Sequence, residues 1–465
     1  MSDYSPFDKA FTAIEAADLA ALHSAVEGWY VEYKAEVPNA AAIAKSISAF
    51  ANTYGGWLFY GISERSKEEA VAGAFPGILR ADVDGMLQRI RQAAAQSINP
   101  TPHFDVRAIW GPDKSIGLKK DHAVIIVHVP QGHAAPFVHK TGVIYRRVGD
   151  GSEPKAETDR FVLDQLWKRS TDLRKQFKRW LGKELELSKG ERNQPYLRLF
   201  IIPDLWRDRN IWAELTTARV REIMMGGTDV EETYINAPFE TVHRTASGYV
   251  CRQLAGNNPH NLSATWFLNP NLVSQVVLPL FTLHDAPISA LAHRLSGYDH
   301  ASRFANILTK YGHVEPTIVD LNFVFSSLMG AMHTQSLLNR EAGHSGSFFI
   351  KAQLINVWRT RPFVDVASVM DHQEEHGVPV CMNGEFYAPP GTDPDDFTEI
   401  PPLEEIEGLA FRKFQQAMIA FEPIAQGFGI ETFIDLLGED GVKSIHPDLI
   451  TASSRATEAQ RLRTR

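Results

Sequence analysis

Between residues 12 and 62 the pattern of hydrophobic positions changes character at each turn signal. Ile14, Leu19, Leu22 and Val26 recur at near-helical spacing and predict a helix over 12–26. Residues 31–36 then alternate, as a half-buried strand does. Glu32, Lys34 and Glu36 project from one face, and Val31, Tyr33 and Ala35 from the other. Pro38 breaks the strand, and Asn39 is placed to cap a helix with Ile43, Ile47 and Phe50 on one stripe, ending at Gly55-Gly56. The unbroken apolar run WLFYGI, 57–62, predicts a strand covered on both faces. A second helix around 83–94, the break NPTP, and strands near 104–109, 123–129 and 143–148 complete the order β-α-β-α-β-β-β. That order predicts an α/β (α+β) fold with a mixed sheet and helices over residues 1–155.

Residues 156–185 read as a basic linker helix. Thr158 is its expected N-cap, and Phe161, Leu166, Leu173 and Phe177 mark its apolar face. Lys168, Arg169, Arg174, Lys175, Lys178 and Arg179 surround that face. They fit either a solvated connector with snorkelling cations or a surface that tracks phosphates. Beyond it, YLRLFIIP, FETVHRTASGYVCRQLAG, ATWFLNPN and FFIKAQLINVWR predict strands of a second α/β domain over 186–465. Helices are expected around 213–224, 302–310 and 404–420. The segment 388–402 reads as a surface loop and SSRATEAQRLRTR as a frayed tail. There is no internal repeat, heptad run or long low-complexity segment.

Composition is globular, 44% hydrophobic and 22% charged over 465 residues, with a net charge of −9. The charge is split unevenly. Residues 1–180 carry 23 Lys and Arg against 21 acids, net +2, and the remainder 24 against 35, net −11. The first part is therefore the place for a polyanion. Cys251 and Cys381 have no metal-like spacing and suit a reduced, cytoplasmic setting. MSDYSPFDKAF lacks a signal-peptide pattern, and no apolar run reaches the ~20 residues of a membrane-spanning helix.

Three constellations could carry chemistry. In EGWYVEYKAE, Glu32 and Lys34 lie two apart on one strand face, an element that could be a solvated edge or a cation site beside a phosphate. Glu27 lies five residues upstream of Glu32, an odd separation, so the two converge only if Glu27 leaves the strand in the Gly28-Trp29 turn. Glu64, in GISERS, stands at the exit of the strand after AFANTYGG, whose glycine pair most simply ends a helix. In VIYRRVGDGSEP, alternation places Tyr145 and Arg147 on one face and Arg146 on the other, so at least one arginine is expected to face solvent. The absence of G-x-x-x-x-G-K-[ST] gives no support for ATP binding. His372-x-x-Glu375-His376 matches an inverted zinc-peptidase pattern, but Gly377 and Pro379 end its helix at once, so a charged helix end is expected.

Together, Glu27, Glu32-x-Lys34, AFANTYGG, WLFYGI and the later P-x9-R-R-V-G (Pro136 to Gly149) resemble the Schlafen AlbA-type domain family over residues 20–155. The resemblance implies nucleic-acid binding. In catalytic members it implies a metal-dependent endoribonuclease that cleaves structured RNA, notably tRNA. Carried onto this sequence, it implies that Glu27, Glu32 and Glu64 hold Mg²⁺ or Mn²⁺, with Glu64 standing where the family carries an aspartate. It also implies that Lys34 and Arg147 meet phosphate. Arg146, Lys168, Arg169, Lys175 and Arg179 extend the expected nucleic-acid surface, for RNA or for DNA. Residues 186–465 match no motif. Their acidity suits a sensor or assembly role, through a protein partner or self-association, in a bacterial stress or phage-defence setting. The alternatives are a noncatalytic nucleic-acid-binding regulator and a partner-sensing interaction protein.

Overall fold

The computed structural model describes residues 4–7, 9, 11–66, 68–148, 153–203, 215–226, 239–253, 262–280, 282–283, 287–344, 346–402, 409–435 and 441–463. Gly149, the opening of the helix expected at 213–224 and part of that at 404–420 lie outside these residues. The described residues form two compact units, one up to Arg179 and one from Trp180 onward. Both mix helices with sheets, an α/β fold.

The first unit is built on a five-stranded sheet. Strand β1 (Val31–Lys34) pairs in parallel with β2 (Gly56–Tyr60), and helix α1 (Ala40–Asn52) connects them. The short pieces β3 (Ser63–Glu64) and β4 (Ala72–Ala74) pair beside it with a register shift at Glu64. After β5 (Ile78–Leu79), α2 (Arg80–Ser97), β6 (Ile98–Asn99) and β7 (Asp105–Trp110), the central strand β8 (His122–Val129) pairs antiparallel with β2, β5 and β7. The pairs β6 with β9 (Val138–His139) and β10 (Tyr145–Arg146) with β11 (Lys155–Ala156) lead to α3 (Arg160–Leu181).

Alternation along these strands splits the core. Leu58, Tyr60, Ile125 and Val127 pack under α1 and α2 with Ile43, Ile47 and Phe50. Val31, Tyr33, Trp57, Phe59 and Ile126 pack against Phe7, Ile14, Leu19 and Leu22 on the other face. Because β1 is parallel to β2 with Glu32 opposite Leu58, Glu32 lies on the α1 side and is buried. The strand is therefore covered on both faces at Glu32, unlike the half-buried strand that alternation predicts.

Asn39 caps α1 by accepting from the Ala42 N–H, 3.0 Å away. The segment expected as an α-helix over 12–26 is two 3₁₀ stretches, Phe11–Ala13 and Ala16–Ser24, and Val26 is exposed. In α3 the Asp159 carboxylate, not Thr158, accepts from the Phe161 N–H. Phe161 is 69% exposed while Leu166 is buried, so the apolar stripe begins later than its spacing suggests.

The second unit centres on an eight-stranded antiparallel sheet. Its strand Tyr196–Ile202 lies between Ser274–Pro279 and Phe348–Ile355. Leu197, Leu199 and Ile201 face the main core, packed with helix Leu321–Glu341. Helix Ala301–Lys310 forms where expected. The C-terminal residues form a helix, His446–Arg463, rather than a frayed tail, because Leu449, Ala452 and Ala456 are buried in that core. No helix among the described residues is long and apolar enough to cross a membrane.

Candidate active site

The turn after the 3₁₀ stretch solves the parity problem of Glu27. The Gly28 N–H donates to the Val31 carbonyl at 3.0 Å, a tight reversal that brings Glu27 back alongside β1. There the Tyr33 N–H donates to Glu27 Oε1 at 3.2 Å. The Tyr33 hydroxyl in turn donates to the Ala25 carbonyl at 2.7 Å, fixing the chain just before the acid. Glu27 thus ends beside Lys34, whose Nζ lies 3.7 Å from Glu27 Oε1 and 3.5 Å from Glu32 Oε1. Glu64 stands close enough for its carboxyl to act on that of Glu27.

Burial first, and then Glu64, push the Glu27 carboxyl up to about 7, with Lys34 opposing. Glu27 Oε2 is buried and receives no hydrogen bond. A buried carboxylate oxygen without a donor is costly unless a proton or a cation satisfies it.

Glu32 is used differently. Its Oε2 accepts from Arg147 Nη1 at 2.9 Å, and its Oε1 from the Ser46 hydroxyl at 3.0 Å. Arg147 is fully buried. It also donates through Nε to the Gly28 carbonyl at 3.0 Å and lies 4.8 Å over the Phe50 ring. Of the expected acids, Glu27 and Glu32 both lie within ion-pair distance of Lys34, and Glu64 acts on Glu27. Glu36 is exposed, two residues beyond the end of β1.

The arginines are not placed as alternation predicts. Neither Arg146 nor Arg147 stands free in solvent. Arg146 is mostly enclosed and pairs with Glu157 at 2.7 Å, and Arg147 reaches inward to Glu32. The reason lies in AFANTYGG, whose polar residues hold the arginine segment. The Asn52 amide donates to the Phe137 and Tyr145 carbonyls at 2.9 and 3.0 Å and accepts from the Phe137 N–H at 2.8 Å. The Thr53 hydroxyl accepts from the Arg147 N–H at 2.9 Å. Gly55 has φ +75, and a Cβ there would meet the Val129 carbonyl at 2.7 Å. Sequence reading gave Asn52, Thr53 and Ser46 no role; their signal was a run of polar residues on a helix otherwise destined for the core.

Arg169 donates to the carbonyls of Gly132, Ala51 and Asn52, capping the end of α1 from α3. Lys168, Lys175 and Arg179 are exposed on α3. The two histidine rings of DHQEEH lie 4.6 Å apart and are tilted by 53° to one another at a helix end.

Among the described residues, no group of three or more His, Cys, Asp or Glu is gathered to hold a metal ion. The Glu27 and Glu64 carboxyls nonetheless fit a hard cation, because Mg²⁺ is commonly held by one or two carboxylates with the remaining positions left to water and phosphate.

Glu27 and Lys34 thus lie together at the end of β1 with Glu64 beside Glu27, and buried Arg147 is bonded to Glu32. Residues 27–156 match the Schlafen, AlbA_2 family model. The Schlafen, AlbA_2 match covers the site, its supporting arginine segment and the sheet beneath, and ties this region to nucleic-acid-related function. No curated protein matches the chain. A solved structure that does match, the DIP2311 protein from Corynebacterium diphtheriae, is 15% identical, covers 43% of this chain and 33% of its own, and has a TM-score of 0.19.

Proposed function

We propose that the first unit is a cation-assisted phosphodiesterase acting on RNA, with tRNA-like molecules as the substrate class that the family resemblance implies. The supporting observation is the Glu27–Glu64 carboxyl pair beside Lys34, with a buried Glu27 oxygen that lacks a donor. Mg²⁺ or Mn²⁺ held by Glu27 and Glu64 would polarise a phosphodiester and acidify a bound water. Lys34, 38% exposed, is the cation that can meet charge developing on the phosphate. Glu32 orients Lys34 from one side and Arg147 from the other, and so acts as a positioning residue. The exposed lysines and arginine of α3 extend the surface for backbone phosphates. A stress or phage-defence setting, with residues 186–465 as sensor or assembly domain, completes this reading.

A second reading is favoured by the commitment of both Glu32 oxygens to Ser46 and Arg147. In it, the unit binds nucleic acid without cutting it.

The test is incubation of the full chain with tRNA and with DNA, in Mg²⁺, Mn²⁺ or EDTA, beside Glu27→Gln, Glu64→Gln and Lys34→Ala. Metal-dependent cutting of RNA that falls about 100-fold in each variant, with binding retained, is the expected result. Binding without cutting in every metal would overturn catalysis and leave the second reading.

A further inference from the structure

The residues between Glu27 and β1 carry a feature that the acid site does not use. Trp29 and Tyr30 form the turn, and Tyr54 follows α1 in the neighbouring turn. The Trp29 and Tyr54 rings lie 5.6 Å apart, the Tyr30 and Tyr54 rings 6.2 Å apart, and Tyr4 stacks on Tyr30 at 4.8 Å. Three of the four are exposed: Trp29 by 36%, Tyr54 by 42% and Tyr4 by 38%. Large apolar rings gathered at a surface leave area in water that burial would otherwise remove, so such a patch marks a binding site more often than a lone exposed aromatic does.

The backbone under these rings is held firmly. The Gly28 N–H bonds the Val31 carbonyl across the turn, and the Trp57 N–H donates to the Tyr30 carbonyl at 2.7 Å. The Gly28 carbonyl is gripped by buried Arg147. The rings therefore lie on a fixed support one residue from Glu27, and Tyr54 follows directly on the Asn52-Thr53 pair that holds the arginine segment. Positive charge lies near them, since Arg169 donates to the Ala51 and Asn52 carbonyls just before Tyr54.

We infer that Trp29, Tyr30, Tyr54 and Tyr4 form a stacking platform for unpaired nucleobases, which makes single-stranded segments, loops or ends the substrate class of the adjacent acid site. Every base has a π-face, so a row of rings beside cations binds single strands with little regard to sequence. In a duplex those faces are stacked inside and out of reach. The inference rests on the nucleic-acid reading of the acid site and adds to it the state of the strand.

The experiment compares the full chain with Trp29→Ala, Tyr54→Ala and the conservative pair Trp29→Phe and Tyr54→Phe. Each is titrated with fluorescent single-stranded RNA, single-stranded DNA and the corresponding duplexes, with circular dichroism confirming the fold. The expected result is single-strand affinity about 5- to 100-fold weaker in each alanine variant, duplex affinity unchanged, and substantial rescue by phenylalanine. The RNA and DNA arms show which chain the platform prefers. Parent binding that the alanine variants leave unchanged, or weaken equally for single strand and duplex, would overturn the platform while leaving the nucleic-acid reading in place. Failure of the parent to bind any of the four would overturn both. Alanine variants that change only the oligomeric state would assign the rings to a contact with a second copy, and so also overturn it.

Discussion

Among the described residues, Arg147 in the first unit and Arg198 in the second are fully enclosed, and the two are solvated by the protein in opposite ways. In the first unit Arg147 is bonded to a carboxylate, Glu32, and through Glu32 its charge is linked to buried Glu27 and to Lys34 at the surface. In the second unit Arg198 lies mid-strand and is bonded to neutral groups: the Lys183 carbonyl at 2.6 Å, Gln353 Oε1 at 3.2 Å and Gln275 Oε1 at 2.9 Å. Both guanidinium groups lie over a phenylalanine ring, Phe50 and Phe200. Amide oxygens satisfy donors but do not cancel charge, so burial pulls Arg198 down to about 10, against weaker opposition from Tyr387 and Glu385. At Arg147 burial also lowers the pKa, and Glu32 and then Glu27 oppose it. Arg147 is tied through buried acids to a lysine at the surface, whereas Arg198 is closed off by neutral acceptors.

The largest expected effect is on Arg147. Arg147→Met leaves the Glu32 carboxylate buried without its strongest partner and should cost about 3–5 kcal/mol at neutral pH. Denaturant unfolding at neutral pH measures it, and a cost no larger than that of Arg198→Met would break the contrast between the units.

Arg198→Met leaves only neutral acceptors unmet, two of them on amides that can turn. Its cost should be about 1–3 kcal/mol and nearly constant between pH 5 and pH 8. A steep pH dependence there would show that Glu385, bonded to Gln353 at 2.6 Å, is the true counter-charge.

The smallest effect concerns Glu27, whose folded pKa is raised to about 7 from an ordinary 4.5. The folded form holds its proton more tightly than the unfolded chain. The stability this contributes is full below about 4.5 and is lost as pH climbs through 7. Glu27→Gln should abolish that decline, on the order of 1–3 kcal/mol between pH 5 and pH 8. A variant as pH-dependent as the parent would assign the titration to another group.

Local features were legible wherever the cause was local. The Asn39 cap, the stripe of Ile43, Ile47 and Phe50, and the strand WLFYGI all follow from spacing and capping. The condition for Glu27 to meet Glu32, a turn at Gly28-Trp29, could be stated from parity alone. Other expectations failed where distant packing intervened. The tail is helical because Leu449 and Ala452 find a core, and 12–26 winds as 3₁₀ rather than α-helix. Arg147 turned inward because Asn52 and Thr53, more than 90 residues away in sequence, fix its backbone. The sheet of the second unit joins Arg198 to Gln353 across 155 residues, a pairing that no short-range pattern encodes.

The amino-acid sequence by itself determined which side chains of β1 point to the same face and which acids and cations stand close along the chain. Only the tertiary structure decided their roles. Glu32, Lys34 and Glu36 share a face, yet helix α1 buries the first, leaves the second at the rim and the third in water. Desolvation and the nearest opposite charge set what a carboxylate can do, and both come from elements that meet only when the chain is folded.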